Sequence, residues 1–217
     1  MKQYKLVIFD WDGTVMDSVG KIVQCMQIAA RQCDLPVPDA SAVGNIIGIS
    51  LHPAIKILFN LSDDAAADTV VAAYKTAYLE QDVTPCPMFD GAVDMLAALH
   101  QQGRTLAVAT GKARRGLDRA WRNTATGQFF SASRTACEAQ SKPSSDMLEQ
   151  LLREIGVDVS EAVMIGDTVY DMQMAEHIGM DRIGVTYGVH DAERLQAHSP
   201  VYIADSIGQL HQFLARA

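Results

Sequence analysis

Cysteine is scarce in this chain, and none of it falls in metal-binding order. Cys25, Cys33, Cys86 and Cys137 are the only four in 217 residues, and no two form a CxxC pair. That pattern excludes a zinc site of the usual spacing. None of the six histidines falls at a metal-like spacing either. No secretory signal is read at the N-terminus, so the expectation is a cytoplasmic chain with reduced thiols. Cys86, between Pro85 and Pro87, is expected at the surface. No apolar run approaches the ~20 residues of a membrane span, so no membrane association is expected. Positive charge is also short. Eighteen Lys and Arg against 26 Asp and Glu give a net charge of −8. Non-specific nucleic-acid binding needs a basic face, so nucleic acid is not an expected partner. A small anionic substrate is still allowed, because a few local Lys or Arg set the field of a cleft. No internal repeat or low-complexity segment stands out.

What remains is an ordinary globular composition, 48% hydrophobic and 20% charged. The length suits one domain with a smaller insert. One stretch organises it, Leu6–Ser18, reading LVIFDWDGTVMDS. Leu6 to Phe9 suit a strand buried on both faces. Asp10 stops the run, Asp12 follows, and Gly13-Thr14 turn the chain. Buried charge is costly unless paired or bound to metal. At the carboxyl end of a strand in an open α/β sheet, however, lies the wet crevice where ligands bind. Both acids would sit at that mouth. Strand alternation turns Trp11 away from them, as a packing or hinge residue.

The segment from Ser18 to Asp82 reads as wholly helical. Helices are expected from Asp17 or Ser18 to about Cys33, at Asp39–Asn45, at Leu51–Phe59 and from Ser62 to about Gln81. The rest alternates. Helices at Asp90–Gln102, Arg114–Asn123, Ser144–Ile155, Asp171–Ile178 and Asp205–Ala217 are interleaved with strands at Thr105–Ala109, Phe129–Ser133, Ala162–Ile165, Arg182–Val185 and Val201–Ile203. Such alternation implies a doubly wound, Rossmann-like parallel α/β sheet. The expected division is a core of residues 1–17 and 83–217 with an all-helical cap, 18–82, inserted after the first strand. Val83–Met88, with Pro85 and Pro87, is the expected return hinge.

Three more polar groups fall at strand ends or beside them. Thr110-Gly111 offers a hydroxyl and free amides for an anion, or a turn in which Thr110 caps the next helix. Pro143 holds Lys142 out of helical geometry just before a helix. Asp167 and Asp171 lie one helical turn apart in Gly166–Asp171, facing one point or serving the helix dipole. Taken together, several carboxylates at one mouth repel one another unless a divalent cation holds them. Oxygen ligands without His or Cys favour Mg²⁺ over zinc. The hydroxyl, amides and lysine supply what a phosphoryl group needs.

DWDGT at Asp10–Thr14, ATG at Ala109–Gly111, SKP at Ser141–Pro143 and GDTVYD at Gly166–Asp171 resemble, in order, the motifs of the haloacid dehalogenase superfamily. The likeness is to its subgroup resembling phosphoglycolate phosphatase and covers essentially the whole chain. Asp90 and Ser145 stand where many relatives carry proline, outside the chemistry. The resemblance implies Asp10 as nucleophile and Asp12 as general acid and base. It implies Mg²⁺ on Asp10, the Asp12 backbone carbonyl and Asp167, with Thr110, Gly111 and Lys142 on the phosphoryl oxygens. Asp171 would orient Lys142 or a metal-bound water. An acid at Asp12 favours phosphoryl transfer over dehalogenation. The expected partner is a small phosphorylated metabolite, bound by a monomer or homodimer. A mutase of the β-phosphoglucomutase type and a catalytically silent binding protein are the competing readings. Lys21, Asn45, His52 and Lys56 are the polar candidates of the cap, and Met16 is a candidate gate of the cleft.

Overall fold

Six strands carry the molecule in the computed structural model, which describes residues 2–216. They are β1 (Leu6–Phe9), β2 (Thr105–Thr110), β3 (Ala132–Thr135), β4 (Ala162–Gly166), β5 (Asp181–Val185) and β6 (Tyr202–Ala204). They form one sheet, ordered β3-β2-β1-β4-β5-β6, with every pairing parallel. The order reverses at β1, whose neighbours are β2 and β4. The crevice outside their carboxyl ends is where such a sheet binds ligands.

Between β1 and β2 the chain forms α1 (Val19–Gln32), α2 (Ala40–Gly44), α3 (Leu51–Phe59) and α4 (Asp64–Thr76), then one π-helical turn, Ala77–Gln81. These helices bury their own apolar cluster, built on Val23, Met26, Ile47, Ile55 and Val70. After them come α5 (Ala92–Gln101), α6 (Arg114–Thr124), α7 (Asp146–Ile155), α8 (Val169–Glu176), α9 (Ala192–Gln196) and α10 (Ile207–Leu214). The apolar run of β1 has both faces covered. Val7 and Phe9 pack with Leu96, Leu117 and Leu210, and Leu6 and Ile8 pack with Met147, Leu151 and Met174. This is the Rossmann-like α/β sheet with an inserted helical block that the alternation of the sequence implies. No helix among the described residues is long and apolar enough to cross a membrane.

Several local expectations are corrected. The strand expected at Phe129–Ser133 is displaced: Gly127–Phe129 is a 3-10 turn and the edge strand is Ala132–Thr135, which keeps only Ala132 and Ser133 of the expected span. The aromatic pair that reads as strand packs elsewhere, with Phe130 stacked on Trp121 at 5.5 Å and Phe129 beside His100. The helix expected from Asp171 starts at Val169, because the Asp171 carboxylate reaches back to the Thr168 amide and hydroxyl and caps it. Cys86 is half-buried against the core, with its Sγ 3.9 Å from the Tyr78 hydroxyl. Met16 is not a gate. It is buried in the core, and its sulfur accepts from Trp11 Nε1 at 3.3 Å. Met1 and Ala217, the ends of the expected core, lie outside the described residues.

Candidate active site

Asp10 is the first residue beyond β1, and its amide still donates to Ile165 O of β4 at 2.9 Å. The ladder therefore holds its backbone while its carboxylate enters the crevice. Asp167 follows β4 in the same way, and α8 brings Asp171 beside it. Lys142, from the loop before α7, completes the group. Its Nζ lies 2.8 Å from Asp10 Oδ1 and 2.6 Å from Asp171 Oδ1. All four side chains are essentially sealed from solvent. Asp167 is fixed from two sides, by the Thr14 hydroxyl at 2.8 Å and the Val189 amide at 2.9 Å. Gly13, at φ 83°, makes room for it: a Cβ there would fall 2.2 Å from Asp167 Oδ2.

Burial dominates the electrostatics. It pushes the Asp10 carboxyl up to about 7 against the opposing pull of Lys142, with Asp171 and Asp12 adding to the rise. Burial, then Asp10 and Asp171, holds Asp167 well above the usual carboxylate range. Burial alone would lower Lys142, but Asp10 and Asp171 outweigh it and keep the ammonium above the usual lysine range.

Ligand oxygens of Asp10, Asp167 and Asp171 all lie within 4.8 Å of one another. Three carboxylates against one ammonium leave two uncompensated negative charges when all are ionised. Asp10 Oδ2 is buried without a hydrogen-bond partner. A hard divalent cation such as Mg²⁺ fits that donor set, which is all oxygen and under-neutralised. The Asp12 carboxylate is not part of this acidic group. Asp171 has one oxygen on Lys142 and the other on Thr168, and Asp167 has one on Thr14 and the other on Val189. With Lys142 on Asp10 Oδ1, Asp10 Oδ2 is the one oxygen of the three acids left without a partner.

Asp12 is engaged elsewhere. Its Oδ1 accepts from Ser18 Oγ at 2.7 Å and from Lys112 Nζ at 2.8 Å, and its Oδ2 from the same Nζ at 3.0 Å. Thr110 is buried at the end of β2, where its hydroxyl accepts from the Lys112 amide at 3.2 Å. Gly111 lies directly under the helical block, and a Cβ on it would meet Gly48 O at 2.5 Å and Ile49 O at 2.8 Å. The Ser50 amide donates to Ser141 Oγ at 2.8 Å, next to Lys142.

Of the four cap candidates, only Lys21 is buried. It binds the Asp82 carbonyl and carboxylate, and its Nζ stands 5.0 Å from the Tyr78 ring. Asn45 joins the block to the sheet domain, accepting from Tyr170 Oη and from Arg194. His52 and Lys56 turn outward to Asp64 and Asp68. The sequence reading passed over Thr14, Ser18, Lys112 and Tyr78. Lys112 had a signal in its place beside Thr110-Gly111, and Ser18 had one in its place at the helix start. Tyr78 had none.

A family model described as haloacid dehalogenase-like hydrolase matches residues 7–185. "Probable phosphatase IndB" of Dickeya dadantii is 34% identical over 209 residues, covering 94% of this chain and 91% of that protein. "Phosphoglycolate phosphatase" of Vibrio vulnificus is 28% identical over 218 residues, covering 96% and 95%. The crystal structure of a predicted phosphatase from Clostridium acetobutylicum superposes with a TM-score of 0.89 at 25% identity, covering the whole of both chains.

Proposed function

The chain belongs to the haloacid dehalogenase-like hydrolases and is a phosphatase of that family; from this premise we propose that it hydrolyses a small organic phosphate monoester, with Mg²⁺, through a phosphoryl group carried on Asp10. One observation carries the reading: a buried group of Asp10, Asp167, Asp171 and Lys142 at the reversal of the strand order, with an acid two residues beyond the nucleophile.

Asp10 attacks phosphorus in line with the leaving oxygen. The bond from phosphorus to that oxygen breaks as the bond to the Asp10 carboxylate forms. Asp12 gives its proton to the departing alkoxide. The Asp12 carboxylate then takes a proton from a water whose oxygen attacks the same phosphorus, freeing Asp10 and inorganic phosphate. Lys142, the Thr110 hydroxyl and the Gly111 amide bind the transferring oxygens, where preorganised donors are worth most. Asp171 holds Lys142 in place. Asp10 and Asp167, with the Asp12 carbonyl, would hold Mg²⁺, which supplies charge compensation between two negative reactants. Residues 18–82 act as a cap that excludes water over a core of 1–17 and 83–217. The likeness to a phosphoglycolate phosphatase makes phosphoglycolate the first substrate to try.

A panel of phosphate monoesters assayed with Mg²⁺ and with EDTA tests this, beside Asp10→Asn. Phosphate release that needs Mg²⁺ and disappears in the variant supports the reading. Activity that survives in Asp10→Asn overturns it.

A further inference from the structure

Three contacts around Asp12 come from parts of the chain that the chemistry above does not use. Lys112 Nζ spans both carboxylate oxygens, at 2.8 Å and 3.0 Å, and its side chain is only 11% exposed. Ser18 stands at the N-cap of α1, yet its hydroxyl caps no helix amide and donates to Asp12 Oδ1 instead. Over Lys112 lies the ring of Tyr78, with its centroid 5.3 Å from Nζ. Tyr78 sits on the π-helical turn Ala77–Gln81, a local irregularity of a kind that recurs at functional sites. Tyr74, one turn earlier, packs its ring against Tyr78 at 5.9 Å.

A buried ion pair is weak evidence of stabilisation, because desolvating both charges offsets their attraction. Fixing an orientation is a different matter. One ammonium astride both oxygens sets the plane of the carboxylate, and the Ser18 hydroxyl sets its rotation. The tyrosine face attracts the ammonium and fixes where it stands.

We propose that Lys112 is a positioning residue for the Asp12 proton donor, and that the helical block seats Lys112 through Tyr78. This rests on the assignment of Asp12 under the proposed function.

A leaving group that departs without a proton separates this role from a general structural one. p-Nitrophenyl phosphate releases a stabilised phenolate, whereas glycerol phosphate releases an alkoxide that must be protonated. kcat/KM reports the steps through loss of the leaving group. In Lys112→Met it is expected to fall about 100-fold on glycerol phosphate and less than about fivefold on p-nitrophenyl phosphate, the scale of a misplaced general acid. The ratio of the two is independent of the fraction of protein folded. Tyr78→Leu should shift that ratio in the same direction by about tenfold, and should shift it by less than about twofold when Lys112→Met is already present.

Equal losses on both esters would overturn the positioning role. So would a loss seen only with phosphoglycolate, whose leaving group is itself charged, and not with glycerol phosphate. Additive effects of the two substitutions would overturn the link to the helical block. Wild-type protein that hydrolyses no ester of the panel with Mg²⁺ would instead remove the phosphomonoesterase reading, and this inference with it.

Discussion

Gly111→Ala is the sharpest perturbation of the contact between helical block and sheet. The added methyl carbon would stand 2.5 Å from Gly48 O, 2.8 Å from Ile49 O and 2.9 Å from Gly48 C. All three are backbone atoms, so no side chain can rotate away. Ordinary contact begins near 3.4 Å, and the loop Gly48–Ser50 must therefore retreat by about 0.9 Å. That loop also carries the Ser50 amide, whose bond to Ser141 Oγ sits beside Lys142. A displacement of this size strains a bond worth about 1 kcal/mol. A misplacement of about 1 Å at a reacting centre costs about 100-fold in rate.

Other properties of the site survive the change. Alanine keeps the amide at residue 111, and Gly111 is not among the residues at positive φ. The helical block and both faces of the sheet retain their separate apolar clusters. The gain from stiffening the unfolded chain is about 0.4–1 kcal/mol. The expected result is a kcat/KM near one hundredth of wild type with Tm changed by no more than about 3 °C, read by steady-state kinetics and calorimetry. Activity within about threefold of wild type would refute the argument, because the block would then have been free to yield without consequence.

Two further outcomes follow from the buried charges. Mg²⁺ at a hundredfold excess over its Kd should stabilise the wild type by about 2.7 kcal/mol. Asp167→Asn should lose that rise in a thermal scan with Mg²⁺ against EDTA, and a rise of full size in the variant would show that Asp167 is not a ligand. His190 is buried, and burial with Arg194 nearby pulls its imidazole down to about 4. The folded value lies below the ~6.5 of the unfolded chain, so the unfolded state binds more protons between the two. Stability therefore falls as the pH drops from about 6.5 to about 4, by about 1–2 kcal/mol after allowance for solvent screening. Nδ1 accepts from the Val169 amide at 3.0 Å, so His190→Asn keeps an acceptor there and removes the titration. Urea midpoints at pH 7 and pH 5 should differ less in the variant, and an unchanged difference would clear His190 of the effect.

Which parts of the molecule were readable in the sequence follows from how local each cause is. Leu6–Phe9 announces a central strand because burial on both faces demands four consecutive apolar residues, and the structure covers both faces. Asp10, Asp167, Asp171 and Lys142 are each ordinary taken alone, and could be named only together, because several carboxylates at one mouth repel unless something answers them and because their motifs resemble those of the family. Phe129 and Phe130 misled for the opposite reason. Aromatic residues favour strands, yet here tertiary packing on Trp121 and His100 outweighs that preference. Met16 is a similar case, since an apolar residue after an acidic motif carries no sign of whether it lines a cleft or fills the core beneath Trp11. Lys112 lies 100 residues from Asp12, and only the folded chain shows one nitrogen bridging both oxygens. Its neighbour Tyr78 belongs to a helical turn whose sequence is unremarkable. The sheet dictates where the groups at its strand ends stand, and short local motifs display them. The residues that aim those groups are dictated by how the inserted helices dock. Docking is a long-range property: it leaves a trace only where two backbones meet too closely for a side chain, as at Gly111 beneath Gly48 and Ile49.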